Sequence, residues 1–143
     1  MPEEISDGLY VRQLIWGKFP NHRGAILALE RDHRDLMGDL DAEVGPYSLV
    51  SQIFVEGILL PALEVPEVFT LRESADLIET LLSSDRAAVP EMASIRVTDY
   101  LLGFPETWFK FREFAGPNLV EDVKQMSRYY TFDPFIPLGS GDE

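Results

Sequence analysis

A histidine within a run of charged residues is the first place in the sequence where residue types and spacing could do chemistry. Glu30 and His33 stand three positions apart, the spacing at which a helix offers a carboxylate and an imidazole to a metal ion in di-iron bundle proteins. A working site needs a second such pair, and His22 has Phe19 three positions before it instead of an acid. Residues 30–35 mix acids with bases, which is typical of a solvated helix face. We therefore expect no metal site and no cofactor.

Asp99 is the strongest single candidate for acid–base chemistry. It follows Met92 and Ile95 at helical spacing, on or near an apolar stripe. Catalysis by carboxylates needs two of them held in a cleft in different roles. Arg96, one turn earlier, or Arg72, on the preceding helix, could instead neutralise the Asp99 carboxylate. We expect Arg72, Arg96 and Asp99 to form a structural ion pair rather than a catalytic site.

Other catalytic chemistries lack their residues. The chain contains no cysteine, which excludes thiolate nucleophiles, disulfides and cysteine-based metal sites. It has no Gly-x-Ser-x-Gly motif, no glycine-rich phosphate loop and no dinucleotide-binding fingerprint. We expect that the protein is not an enzyme.

The charge balance bears on the kind of partner. The 143 residues include 25 acids and 12 bases, for a formal net charge of -13. Such a chain repels the phosphates of nucleic acids and anionic membrane surfaces, and it attracts basic molecules. We expect a basic protein partner, no nucleic acid and no membrane. The sequence does not indicate an oligomeric state.

The middle of the chain is the most acidic part, with nine acids against three bases between residues 46 and 103. If its exposed acids share one surface, they could steer a basic partner into place. The alternative is a surface that only keeps the protein soluble. The candidate partner-binding residues are Glu67, Glu73, Asp76, Asp85 and Glu91.

Glycines and prolines divide the sequence into helix-sized segments, and no stretch alternates like a strand between hairpin turns. This pattern predicts an all-α fold: a single domain over residues 1–143, built as a bundle of about seven helices in stacked pairs. Residues 131–143 contain prolines and apolar side chains, which predicts an extended strap docked on the bundle.

Three of the predicted helices have distinctive patterns. The second, from His22 to about Leu40, carries apolar residues at helical spacing, and Thr70-Leu71-Arg72-Glu73 has the form of a capping box. The segment from Tyr47 to Leu63 is apolar on nearly every side, which is typical of the buried centre of a bundle. Its polar residues argue against a membrane span, and the acidic N-terminus is unlike a signal peptide, so we expect a cytoplasmic location.

The densest aromatic cluster spans residues 108–114, where Lys110 and Arg112 interleave with Trp108 and three phenylalanines. Such residues are common in protein interfaces. We expect these rings instead to fill the core and to anchor Phe132 and Phe135 of the strap.

A resemblance covers about half of the chain, from Leu49 to Met126. The motifs that carry it are Leu59-Leu60-Pro61, then Ile78-Glu79-Thr80-Leu81-Leu82-Ser83-Ser84-Asp85, then Val97-Thr98-Asp99-Tyr100-Leu101-Leu102, and Gly116-Pro117-x-Leu119. In these motifs the chain resembles small acidic all-helical bacterial proteins, mostly of unknown function, that are associated with toxin–immunity loci. Asp99 departs from the pattern, where Glu is more usual. The resemblance implies a helical fold and suggests an immunity role.

Three functional hypotheses follow. The first is an immunity-type inhibitor that binds a basic toxin or enzyme, suggested by the net charge, the missing catalytic residues and the resemblance. The second is a general protein-interaction or scaffold module in which a groove between paired helices takes up a peptide. The third, an enzyme built on Glu30, His33 and Asp99, is the one that we disfavour.

Overall fold

The computed structural model describes residues 5–136, which form seven helices and, within that range, no strand. The helices, numbered here from α1 to α7, are Asp7–Lys18, Arg23–Met37, Pro46–Glu64, Val68–Leu82, 88–103, Pro105–Phe111 and Pro117–Met126. Short 3-10 turns lie at Pro20–His22, Arg112–Phe114 and Ser127–Tyr129. The predicted all-α fold is confirmed.

Prolines and a glycine set several helix boundaries. Pro46, Pro105 and Pro117 each occupy the first turn of their helix, where an N–H would have no intrahelical acceptor. Gly38 ends α2 with a φ of 66°, in the left-handed region that glycine adopts at little cost. For this reason α2 ends at Met37, earlier than predicted.

Helix α3 lies at the centre of the bundle, as its composition predicts. It packs against α1, α2, α4 and α5. Its buried side chains are Leu49, Val50, Ile53, Phe54, Val55, Ile58 and Leu59, followed by Ala62 and Leu63, and Ser51, Gln52 and Glu56 lie between them on a more exposed face. One hydrophobic core joins these to buried residues from every other helix.

The same helix bears on the question of a membrane. Within residues 5–136, Pro46–Glu64 is the one helix that is long and apolar enough to cross a bilayer, and 50% of the stretch is buried inside the protein. The core helix of a globular bundle passes the same test of length and composition. The expected cytoplasmic location therefore stays a prediction.

Helices α3 and α5 both contain π-helical turns. Between Leu49 and Leu59, and again between Ser94 and Thr98, the backbone hydrogen bonds span five residues instead of four. At the end of the first segment, the Leu60 N–H donates to the Val55 carbonyl. The two segments pack against each other. π-Helical turns are rare and occur frequently at functional sites.

Helix α2 departs from the apolar stripe predicted for it. Ile26 is fully buried, but Leu36 is 84% exposed and Leu40 is 86% exposed. The helix packs against α1 and α3, and Glu30 in its middle binds Arg12 of α1, whereas the side chains of residues 35–37 at its end are exposed. The second half of its apolar face therefore has no partner among the described residues.

The start of α4 also differs from expectation. The helix begins at Val68, before the predicted capping box, and Thr70 lies inside its first turn. The Thr70 hydroxyl donates to the Glu67 carboxylate at 3.2 Å instead of accepting from an early backbone N–H. Glu67 follows Pro66 directly and occupies the cap position, where its negative charge suits the helix dipole.

The predicted strap is described only over residues 131–136. Pro134 is buried, and its carbonyl accepts from the indole N–H of Trp108 at 2.8 Å. Phe132 lies edge-on to Phe109, and Phe135 lies edge-on to Trp108. The segment makes a turn closed by Asp133, so it is docked as predicted but not fully extended. Residues 137–143 of the predicted strap, and residues 1–4, lie outside the described range.

Candidate functional site

A groove with a volume of about 660 Å³ lies between α3 and α5. α3 contributes one wall and α5 the other. The residues that line it are Ser51, Val55, Glu56, Leu60, Pro61 and Glu64 from α3, and Ile95, Arg96, Asp99 and Tyr100 from α5.

The π-helical turns explain why α3 and α5 leave a groove here. On α3 the lining residues Ser51, Glu56 and Pro61 follow at steps of five, the span of a π-helical hydrogen bond. On α5 the Asp99 N–H donates to the Ser94 carbonyl, again five residues back. A π-helical turn contains an extra residue. The side chains after that turn are therefore shifted away from the positions that they would have in a regular α-helix.

Apolar side chains form part of the lining of the groove, and the ring of Tyr100 lies beside them. Val55 is buried, Leu60 is half-buried and Ile95 is 44% exposed. The ring of Tyr100 stacks on that of Phe104, with 4.9 Å between centroids. This surface could take up an apolar side chain of a ligand without leaving a polar atom of the protein unsatisfied.

Charged side chains give the groove a net negative charge. Glu56, Glu64 and Asp99 are all exposed, against a single base, Arg96, whose guanidinium lies over the Tyr47 ring at 5.0 Å from its centroid. Carboxylates on the rim of an apolar groove favour a ligand that carries lysine or arginine beside apolar groups.

A smaller depression of about 250 Å³ continues the groove toward α6. It shares Leu60, Glu64 and Tyr100 with the groove and adds Leu63, Phe104, Thr107 and Lys110. The two together make an elongated surface that suits a polypeptide segment better than a compact small molecule.

Asp99 lies at the groove instead of in the core. Its carboxylate accepts a hydrogen bond from the Tyr130 hydroxyl, and its side chain is exposed. Arg96 and Asp99 both line the groove, but within the described residues neither Arg96 nor Arg72 makes a salt bridge with Asp99.

The π-helical turn is the physical reason that the predicted ion pair is absent. In a regular helix Asp99 would return to the face of Met92 after two turns. In the structure the extra residue in the turn places Val97 and Thr98 in the core, and it leaves Ile95 and Asp99 exposed.

The five acids predicted to bind a partner lie elsewhere. Glu73 and Asp76 both approach the Lys18 ammonium, at 3.8 and 4.0 Å. Glu67 accepts from Thr70, while Asp85 and Glu91 are exposed. The structure brings Glu73 and Asp76 together around Lys18, and none of the five lines the groove.

Glu30 and His33, of the disfavoured enzyme hypothesis, lie one turn apart on α2, while Asp99 lies on α5. Glu30 is buried and binds the guanidinium of Arg12 through both of its oxygens, with N–O distances of 2.5 and 3.1 Å. His33 is half-buried on the same helix. No group of three or more His, Asp or Glu residues in the described part of the chain could hold a metal ion.

The aromatic cluster of α6 supports the core instead of a binding surface. Trp108 and Phe111 are fully buried, and Phe109 packs on Phe132. Arg112 donates to the carbonyls of Pro134 and Ile136 at 3.0 and 2.6 Å. These contacts confirm that the cluster fills the core and anchors the segment at 131–136.

Sequence reasoning missed the groove because it counted α3 as apolar on every side. Ser51, Glu56 and Pro61 all line the groove and stand five residues apart in the sequence. This spacing is wider than one turn of an α-helix, and it was the sequence feature that could have indicated the groove. Comparisons with protein-family models, curated proteins and solved structures find no match to this chain. The resemblance to immunity-locus proteins therefore stays a prediction.

Proposed function

We propose that this protein is a binding module that holds a basic segment of another protein in the groove between α3 and α5. The observation that carries the proposal is the presence of three exposed carboxylates, those of Glu56, Glu64 and Asp99, beside apolar side chains in one depression. Apolar anchors of the ligand would supply most of the affinity, and its lysines or arginines would supply orientation and a faster encounter.

The net charge supports the choice of a basic ligand. At -13 the protein attracts a basic partner over a distance of about one Debye length, roughly 8–10 Å at physiological salt. Long-range attraction of this kind raises the association rate and weakens with added salt, whereas contacts in the groove govern the dissociation rate. We therefore expect added salt to lower the association rate more than it raises the dissociation rate.

An inhibitor of a basic toxin or enzyme is the specific form of this function that we favour. It is supported by the charge and by the resemblance described above. An immunity-type protein must hold its target tightly enough to keep it inactive. A scaffold module needs only to bind, so the activity of the bound partner distinguishes the two forms.

The first experiment is affinity capture of partners on the immobilised protein, elution with a salt ramp, and identification by mass spectrometry. We expect one basic protein to be retained in excess over a column carrying a carrier protein of similar charge. Its activity is then assayed alone and in the complex. Retention of no protein above the control column would contradict the proposal, and a partner active in the complex would replace the inhibitor by the scaffold form.

A further inference from the structure

The end of α2 exposes a second apolar surface, remote in sequence from the groove and sharing no lining residue with it. Leu36 is 84% exposed, Met37 is 61% exposed and Leu40 is 86% exposed. These three long apolar side chains lie within five positions of the sequence and are here called the α2 patch. Isolated exposed apolar residues are common on protein surfaces, whereas several on one short segment are typical of a binding surface.

The backbone beneath the α2 patch is held in place by hydrogen bonds. Gly38 and Asp39 donate to carbonyls of the last helical turn in a left-handed helix cap. The Asp41 N–H then donates to the Asp39 carboxylate at 2.9 Å, and the Ala42 N–H to the Asp39 carbonyl at 3.2 Å. The apolar side chains are therefore presented on an ordered turn, which lowers the entropy lost when a partner binds.

The turn is also attached to the body of the protein. Glu43 accepts a hydrogen bond from the Ser6 hydroxyl at 2.8 Å, and Val44 is buried. A Cβ added at Gly8 would lie 2.7 Å from the Val44 carbonyl oxygen, so the returning chain passes close to the start of α1. The exposure of Leu36 and Leu40 thus occurs between two anchored points of the chain.

Charge determines the kind of partner. Arg31 and Arg34 precede the patch on α2, but residues 31–43 hold five acids against these two bases, and the chain has no lysine or arginine from residue 35 to residue 71. Leu40 stands directly between two aspartates. A second copy of the chain would place these acids against their own equivalents, which costs free energy, whereas a basic partner would pair with them.

We propose that the α2 patch is a docking site for an amphipathic basic helix of a partner protein. Its leucines or other apolar residues, at positions i, i+3 or i+4 and i+7, would cover Leu36, Met37 and Leu40. Lysines or arginines beside that stripe would face Asp35, Asp39 and Asp41. This surface is additional to the groove, and it allows the protein to hold two segments at once.

The test uses the full chain and three synthetic peptides of equal length. The first has leucines at helical spacing flanked by lysines, the second has the same composition in scrambled order, and the third has glutamate in place of every lysine. Binding is measured by isothermal titration calorimetry to the wild type and to the double variant Leu36→Ser, Leu40→Ser. Both leucines are more than four-fifths exposed, so we expect this variant to fold.

Leu27 provides a matched control. It is 51% exposed, and it lies nine residues before Leu36, a separation that places it on the opposite side of α2. We expect the double variant to lose at least about ten-fold in affinity for the first peptide, and Leu27→Ser to lose none. The scrambled and acidic peptides should bind much more weakly than the first.

Several results would overturn this proposal. These are equal binding of the scrambled peptide, unchanged affinity of the double variant, or loss of binding in a variant of the groove acids Glu56, Glu64 and Asp99 alone. A wild-type dimer in sedimentation that becomes monomeric with Leu36→Ser and Leu40→Ser would instead assign the patch to a second copy. The same titrations on the variant Glu56→Gln, Glu64→Gln, Asp99→Asn separate peptide binding at the groove from peptide binding at the α2 patch.

Discussion

The carboxylate of Glu79, on α4, caps the first turn of α7 at Leu119. Its two oxygens accept hydrogen bonds from the backbone N–H groups of Asn118 and Leu119, both at 2.9 Å. The first N–H groups of a helix have no intrahelical acceptor, and a negative charge at that end also suits the helix dipole. The Glu79 side chain, forty residues away in sequence, thus takes the place of a local N-cap residue, and it joins α4 to α7.

Replacing Glu79 by alanine should destabilise the protein by about 1–2 kcal/mol, because two N–H groups lose a charged acceptor. The measurement is the free energy of unfolding in urea. Thr80→Ala is the control: Thr80 is exposed and its hydroxyl bonds only to the Asp76 carbonyl, so we expect a change within about 0.5 kcal/mol. Equal effects of the two substitutions would contradict the capping role.

The effect of substituting Gly116 on stability should depend on the same cap. A Cβ at this position would lie 2.5 Å from the carboxyl carbon of Glu79, while the φ of -84° suits any residue. Gly116→Ala should therefore displace the Glu79 side chain and cost about 1–2 kcal/mol through disturbance of the two cap hydrogen bonds. In a Glu79→Ala background most of that cost should disappear, since the crowded group is gone.

The control for that cycle is Gly17→Ala. Gly17 lies within α1 and has no atom within 4 Å of an added Cβ. Alanine there should stabilise the protein by about 0.5–1 kcal/mol, because glycine weakens a helix interior. A cost for Gly116→Ala that is the same with and without Glu79 would contradict the predicted coupling.

Asp99 should tolerate substitution. It is exposed, and its side chain bonds to the Tyr130 hydroxyl rather than to an arginine. We expect Asp99→Leu to leave the midpoint of thermal unfolding close to that of the wild type, measured by circular dichroism. A large fall in the midpoint, as expected from loss of one partner in a buried ion pair, would contradict the arrangement described here.

Glu30 should behave in the opposite way. Its side chain is 10% exposed and binds Arg12, whose side chain is 25% exposed and also stacks over Trp16. Glu30→Ala leaves the guanidinium partly buried without an acceptor, so we expect a loss of about 2–3 kcal/mol in urea unfolding. The value is below that of a fully buried pair because water reaches Arg12. The double variant Arg12→Met, Glu30→Met should recover part of the loss.

The contact between Trp108 and Pro134 should hold the segment at 131–136 on α6. Trp108→Phe removes the indole donor while keeping most of the buried ring. We expect a loss of about 0.5–1.5 kcal/mol, because one hydrogen bond is lost while the Pro134 carbonyl still accepts from Arg112. Chymotrypsin should also cleave faster after Phe132. Phe69→Ala, at an exposed ring on α4, is the control and should alter neither stability nor cleavage.

The helical class and the central position of α3 could be predicted from the sequence, because apolar spacing and proline positions act locally. The exposure of Asp99 could not be predicted in this way. Its predicted burial assumed 3.6 residues per turn, and the π-helical hydrogen bond from Asp99 to Ser94 displaced the buried face of α5 to Val97 and Thr98.

The second half of α2 shows another limit of sequence reasoning. The pattern that buries Ile26 continues to Leu36, but whether a helix face is covered depends on where neighbouring helices end. The capping of α7 by Glu79 could not be predicted either, because the carboxylate that accepts the two hydrogen bonds belongs to a helix distant in sequence. Local patterns specify helices, whereas grooves and unpartnered faces arise from their lengths and packing.

The proposed groove is tested most directly by comparing two charge-matched triple variants against the captured partner. One carries Glu56→Gln, Glu64→Gln and Asp99→Asn in the groove, and the other carries Glu67→Gln, Asp85→Asn and Glu91→Gln outside it. All six residues are exposed, and each variant removes three negative charges, so long-range attraction changes equally. If the groove binds the partner, the first variant should weaken the affinity at least about ten-fold more than the second. Equal losses, or a greater loss in the second variant, would contradict it.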